Sequence, residues 1–287
     1  MTRRLFIFGL GYSGLEIARL AKAQGWSVAG TCTTDEKARR LRAEGIEAHA
    51  FDGTAPLSAQ SFGEASHAVC TVAPGTAGDP ALRTCRALLG RARWLGYLST
   101  TGVYGDHDGA WVDETTPTLA TQPRSLQRLA AEQGWRDVAS ESGAALHIFR
   151  LPGIYGPGRS TLDRVADGTA RRIDKPGQFF SRIHVTDLAA STLKAMDCVQ
   201  GTEIWNVADD LPAANADVIA YGCELLGRPV PPAIPWEDAA PAMTPMARSF
   251  YAESRRVRND KLKRELGVVL RYPTYREGLK AIAEAGV

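Results

Sequence analysis

Four apolar residues, Leu5-Phe6-Ile7-Phe8, run straight into Gly9-Leu10-Gly11-Tyr12-Ser13-Gly14, and no other junction restricts the fold so strongly. A short buried strand ends in a glycine turn, and a helix follows on Leu15, Ala18, Leu20 and Ala21. In this G-x-G-x-x-G spacing the first glycine makes the tight turn and the second lets backbone approach a pyrophosphate. The third lets helix and strand pack closely. Gly9, Gly11, Tyr12, Ser13 and Gly14 are therefore read as cofactor-binding, a bare strand-to-helix turn being the plainer alternative.

The same alternation continues downstream. Apolar runs recur at 26–30, 47–51, 67–72, 94–98 and 145–149, with amphipathic stretches near 36–44, 80–91 and 124–142 between them. Strands of about five residues, buried on both faces and separated by helices, define an α/β fold with a doubly wound parallel sheet. Past Gly156-Pro157-Gly158 the alternation weakens, and prolines gather in 229–245. The expected division is a nucleotide-binding lobe over 1–155 with a return segment at about 183–208. A smaller C-terminal lobe for the substrate would take 156–182 and 209–287. Net charge is +2, from 34 basic and 32 acidic residues, with no block of like charges, so a nucleic-acid partner is not expected. No apolar stretch is long enough for a membrane span, and the N-terminal run is too short for a signal peptide. Five scattered cysteines without a C-x-x-C read as buried thiols in a reducing cytoplasm, with no metal site.

The region after the second strand bears on the cofactor. A carboxylate about 20 residues past the glycine turn would hold the 2′-hydroxyl of NAD. Here the segment is Thr31-Cys32-Thr33-Thr34-Asp35-Glu36-Lys37, with arginines at 39 and 40. Hydroxyls at Thr33 and Thr34 replace the acid, and Asp35 reads as a helix N-cap. NADP is thus favoured over NAD. Asp52, after the third strand, is either an adenine ligand or a turn-former; Ala73 and Pro74, past the fourth strand, complete the expected lining.

Further motifs carry a family resemblance. Ser99-Thr100-Thr101-Gly102-Val103-Tyr104-Gly105 follows the fifth strand, then come Trp111-Val112-Asp113-Glu114 and Arg150-Leu151-Pro152-Gly153-Ile154-Tyr155-Gly156. Arg182-Ile183-His184-Val185-Thr186-Asp187 and Trp205-Asn206-Val207-Ala208-Asp209 complete the series. Together they resemble the extended short-chain dehydrogenase/reductases of the NAD(P)-dependent epimerase/dehydratase type, with a Rossmann-like sheet. The tail, from Glu253-Ser254-Arg255-Arg256-Val257-Arg258-Asn259 to Tyr272-Pro273-Thr274-Tyr275, resembles an atypical subgroup. The resemblance implies that Thr100 hydrogen-bonds the reacting carbonyl or hydroxyl, and Pro152 joins the cofactor set.

It also implies a Tyr-x-x-x-Lys ahead of Ala130-Ala131-Glu132, where this chain has Arg124 and Arg128. No tyrosine lies between Tyr104 and Tyr155 and no lysine between Lys37 and Lys175, so the dyad is absent in any register. Arginine stays protonated and cannot shuttle a proton. Arg128 is expected on the nicotinamide ribose and Arg124 on an anionic substrate, with exposed helix arginines as the alternative. Tyr104 is a candidate substitute acid, as is Tyr155, with packing aromatics as the plainer reading. His107 reads as a surface histidine and Asp187 as a helix cap; Trp111 either floors a pocket or anchors a loop. Thr101-Gly102 and Gly153 lack the side chains that sugar-nucleotide dehydratases and epimerases carry at those places. Two readings remain: an oxidoreductase or epimerase acting on a small, possibly anionic metabolite, or a non-catalytic dinucleotide-binding sensor or scaffold.

Overall fold

Leu5, Phe6, Ile7 and Phe8 are wholly buried, so the strand they form must be covered on both faces, as in an interior strand of a layered sheet. The computed structural model describes residues 3–198 and 200–286. Its main sheet contains β1 (Arg4–Phe8), β2 (Ser27–Cys32), β3 (Glu47–Ala50), β4 (His67–Cys70), β5 (Trp94–Thr100), β6 (Ala145–Leu151) and β7 (Thr202–Asn206). Their spatial order is β7-β6-β5-β4-β1-β2-β3. The β1 strand pairs parallel with both β2 and β4, and the β2–β3 and β4–β5 pairs are parallel too. The strand order reverses between β1 and β4, and at such a switch point ligands enter beyond the carboxyl ends of the strands. Helices α1 (Tyr12–Ala23), α2 (Asp35–Ala43), α3 (Pro80–Leu89) and α4 (Pro123–Ser142) connect them.

The chain divides into two compact units. The first comprises 1–100, 123–150 and 188–205, the second 101–122, 151–187 and 206–287. Residues 101–122, grouped by sequence with the nucleotide-binding lobe, fall in the second unit because Trp111–Val112 pairs there with Arg256–Val257. The first unit's core packs Phe6, Phe8, Phe62, Tyr97 and Trp135 against Leu89 and Leu146. Asp79 caps α3 through the N–H groups of Ala81 and Leu82 and accepts the Trp135 indole N–H at 3.1 Å. The second unit's core gathers Tyr155, Leu162, Tyr275 and Leu279. Its helix Tyr275–Glu284 carries Gly278, where a Cβ would stand 2.1 Å from the Tyr155 hydroxyl. Cys32, Cys70, Cys85 and Cys223 are buried, whereas Cys198, expected to be buried, is exposed. No helix among the described residues is long and apolar enough to cross a membrane.

Several local expectations are corrected. The second strand runs to Cys32 rather than stopping at Gly30, and α2 is capped by Thr34, whose hydroxyl accepts the Lys37 N–H at 3.2 Å. Asp35 is instead the first residue of the helix. His184 Nδ1 accepts the Thr186 N–H where α5 (Val185–Ala195) begins. Asp187, read as the cap, lies within that first turn and receives the backbone N–H groups of Arg271 and Tyr272 at 2.7 and 3.0 Å. It thereby fixes a loop 84 residues away in sequence.

Glu132 on α4 is completely buried and lies at the centre of a charged network. It accepts the Ser99 hydroxyl at 2.6 Å, the Arg150 guanidinium through two bonds of 3.2 and 2.9 Å, and Arg136 at 3.3 Å. Removing the acid would take this carboxylate from the buried Arg150 guanidinium. Glu132→Ala is therefore expected to destabilise the protein by about 3–5 kcal/mol, read as a lowered midpoint in urea unfolding.

In the second unit Asp209 is buried, and one of its oxygens has no hydrogen-bond partner among the described residues. Burial pushes its carboxyl up to about 8, opposed by the Leu211 N–H and the Arg182 charge. The folded protein then keeps a proton that the unfolded chain releases near pH 4. Stability contributed by this proton is complete below that pH and is lost as pH rises through about 8. Asp209→Asn, which stays neutral, should gain on the wild type steadily between pH 4 and 8. Paired thermal melts across that range would show a constant gap if Asp209 does not titrate this way.

Candidate functional site

The glycine turn is held by hydroxyl groups from the two flanking strands. Thr31, buried near the end of β2, accepts the Gly9 N–H on its Oγ1 at 2.9 Å, and its carbonyl accepts the Leu10 N–H at 2.6 Å. From the other side, the Thr71 hydroxyl donates to the Gly9 carbonyl at 2.7 Å. Gly9 has φ +97°, and a Cβ there would lie 2.6 Å from Thr71 Oγ1. A Cβ at Gly14 would stand 2.1 Å from the Gly9 carbonyl oxygen. Those two glycines are demanded by the fold itself.

Gly11 is different. Its backbone is extended (φ −90°, ψ −157°), and a Cβ there would meet nothing within 4 Å. It is the N-cap of α1 and offers no side-chain cap. No cap side chain therefore competes with an outside acceptor at the start of this twelve-residue helix, in the field of the helix dipole. Tyr12 and Ser13 open this helix, half-buried. Ala73 is exposed and Pro74 half-buried after β4, on the far side of the switch point.

A cavity of about 630 Å³ opens beyond β2 and β3, lined among others by Thr33, Thr34, Asp35, Arg42, His49 and Asp52. Asp52 accepts both the N–H and the hydroxyl of Thr54, at 2.8 and 2.7 Å, and these bonds hold its carboxyl below the usual carboxylate range. That is the turn-forming geometry, although the residue still faces the cavity. Arg42, near the end of α2, was not singled out by sequence because it lies seven positions beyond the helix start.

Thr100 ends β5, half-buried. Arg128 reaches the same strand end: its Nη1 donates to the Leu98 carbonyl at 2.6 Å and lies 3.2 Å from the Tyr97 hydroxyl, with the guanidinium 5.7 Å from that ring's centre. The expectation of a free ribose ligand is corrected to that extent, since Nη1 is spent on β5 backbone. Arg124, one turn earlier, is exposed. Burial pushes the Tyr97 phenol well above the usual range.

Tyr104 belongs to the second unit and is wholly buried, its hydroxyl donating to Asn206 Oδ1 at 2.8 Å. Its reading as a catalytic acid is withdrawn: the group has no open face and its proton is already committed. Tyr155 is likewise buried, with its phenol raised by burial and 3.4 Å from the Thr274 carbonyl. His107 is half-buried, its Nε2 3.1 Å from the Tyr104 carbonyl. Pro152 is half-buried next to β6. Glu114 accepts the Asn206 N–H at 2.8 Å and is raised by burial, so it braces the Tyr104 partner. Among the described residues, no three His, Cys, Asp or Glu side chains converge as a metal site.

Known proteins share this framework. A conserved protein of unknown function from Silicibacter pomeroyi DSS superposes with a TM-score of 0.88 at 45% identity over the whole of both chains. Protein YeeZ of Escherichia coli strain K12 is 27% identical over 242 residues, 74% of this chain and 80% of that one. A 3-diazoavenalumate denitrifying reductase from a Streptomyces species is 27% identical over 175 residues, 59% of this chain and 55% of that protein. Residues 80–208 match the model of the NAD dependent epimerase/dehydratase family. The doubly wound sheet and the glycine turn at its switch point agree with that match, and over residues 80–208 the chain is similar to the NAD dependent epimerase/dehydratase family.

Proposed function

We propose that the first unit binds a nicotinamide dinucleotide, NADP in preference to NAD, and that the protein is an oxidoreductase acting on a small anionic metabolite without a Tyr–Lys proton donor. Gly11 carries this reading. Neither its backbone angles nor any protein neighbour requires glycine, which leaves close approach by a ligand at the uncapped N-terminus of α1 as the reason for it. The turn at residues 9–14 would hold the pyrophosphate, with Ala73 and Pro74 on the opposite lip. The bound cofactor supplies a hydride donor or acceptor. Thr100 would orient a carbonyl or hydroxyl by hydrogen bonding, and the exposed Arg124 would meet an anionic group.

The preference for NADP rests on what surrounds the end of β2. Thr33 and Thr34 stand where an acid would repel a 2′-phosphate, and Arg42 lines the same cavity. Asp35 lines it as well, so the preference depends on Arg42 outweighing it. A second reading, a cofactor sensor or scaffold without turnover, is favoured by one observation: Arg128 Nη1 and the Tyr104 hydroxyl are both already engaged within the protein.

Three outcomes test these readings. Gly11→Val fills the open space above the turn, so calorimetry should register at least a roughly tenfold loss of NADPH affinity, about 1.4 kcal/mol. Unchanged affinity would make the turn structural only. Fluorescence titration should find NADPH binding tighter than NADH, with Arg42→Ala weakening NADPH alone by roughly tenfold; tighter NADH binding reverses the assignment. If NADPH binds but is not consumed across a broad carbonyl panel, the sensor reading replaces the oxidoreductase.

A further inference from the structure

The segment from Glu253 to Asn259 has three arginines within four positions, and the glycine turn makes no use of them. All three sit in the second unit, yet they are held quite differently. Arg255 is spent internally: its Nη1 donates to the Gly105 carbonyl at 2.6 Å and to Glu253 at 2.8 Å, and its side chain is only 16% exposed. Arg258 is half-exposed, lies 5.3 Å from the centre of the Trp111 ring, and is paired with Asp260 at 3.3 Å on the surface.

Arg256 is immobilised without being used up. Its backbone joins Trp111 in a two-stranded parallel pair, with its N–H on the Ala110 carbonyl at 2.9 Å. Its guanidinium lies 4.8 Å from the centre of the Phe179 ring and 5.3 Å from that of Trp111, and its Nε donates to the Gly109 carbonyl at 2.6 Å. Backbone, two rings and Nε fix the side chain, while Nη1 and Nη2 have no protein partner among the described residues and neither is sealed from solvent. Each neighbouring acid already has a partner, although Glu253 Oε1 and Arg255 Nε are buried without one among the described residues. Glu253 serves Arg255, Asp260 serves Arg258, and Asp106 accepts the N–H groups of Ser254 and Asp108.

We propose that Arg256 is a preorganised fork for an oxyanion, taking the carboxylate or phosphate of a small ligand through parallel hydrogen bonds from its two Nη atoms. Planar bidentate recognition is what a guanidinium offers and an ammonium does not. Ring contacts and the Gly109 bond have already removed most of the side-chain freedom that binding would otherwise cost. The site lies wholly within the second unit and does not depend on the dinucleotide reading.

The test uses the whole protein, titrated separately with acetate and with inorganic phosphate at constant ionic strength. The signal is the Nε–H resonance of Arg256, assigned by its absence from the spectrum of Arg256→Gln. A saturable shift with either anion is expected. Arg256→Lys keeps the charge but loses the fork, and should weaken anion binding, measured by calorimetry, roughly tenfold or more. Arg258→Gln should weaken it by less than about threefold. Saturation by acetate alone assigns a carboxylate ligand, and by phosphate alone a phosphate. Shifts that never saturate, or equal losses in Arg256→Lys and Arg258→Gln, overturn the proposal in favour of general surface charge.

Discussion

The closest approach in the first unit is between the third glycine of the turn and the carbonyl of the first. With only 2.1 Å between a hypothetical Cβ at Gly14 and that oxygen, helix α1 can lie against β1 only if position 14 has no side chain. This contact aims the helix N-terminus beyond the carboxyl end of β1, where the sheet order reverses. Gly30 serves the same packing from β2, since a Cβ there would lie 2.5 Å from the Ile7 carbonyl. Thr31 and Thr71 then tie the turn to both neighbouring strands. Once these close contacts are made, the position of any ligand at Gly11 is fixed by backbone rather than by mobile side chains.

Much of this frame is legible in the sequence. Short apolar runs alternating with amphipathic stretches give the strands and helices of the first unit, because interior parallel strands are buried on both faces. The spacing of Gly9, Gly11 and Gly14 locates the turn. What sequence does not convey is which polar groups meet across the fold. Thr31 and Thr71 look like any strand-end hydroxyls, and only the pairing of β1 with both β2 and β4 makes them partners of Gly9. Arg128 is expected from sequence on the nicotinamide ribose, and nothing in the sequence tells that its Nη1 turns onto the Leu98 carbonyl. Tyr104 lies close after β5 in sequence, yet its hydroxyl is claimed by Asn206, 102 residues on.

Glu132 illustrates why a family motif need not be a catalytic one. Ala130-Ala131-Glu132 marks a position in the family pattern, and in this chain the acid neutralises Arg150 in the interior while holding Ser99. Ser99 immediately precedes Thr100, so the network anchors the strand end that presents the Thr100 hydroxyl. Buried charge here secures geometry more than it adds net stability. With Arg128 and Arg124 one and two turns upstream, the helix keeps this buried anchor to β5 and β6.

The pairing of Trp111–Val112 with Arg256–Val257 joins segments about 145 residues apart. During synthesis, residues 101–122 leave the ribosome long before their partner strand exists. Residue 254 also supplies the carbonyl that receives the N–H groups of His107 and Gly109. The loop after β5 must therefore wait, unpaired, until nearly the whole chain has emerged, with the exposed indole of Trp111 uncovered meanwhile. This part of the second unit therefore closes only after residues 256–257 have been made.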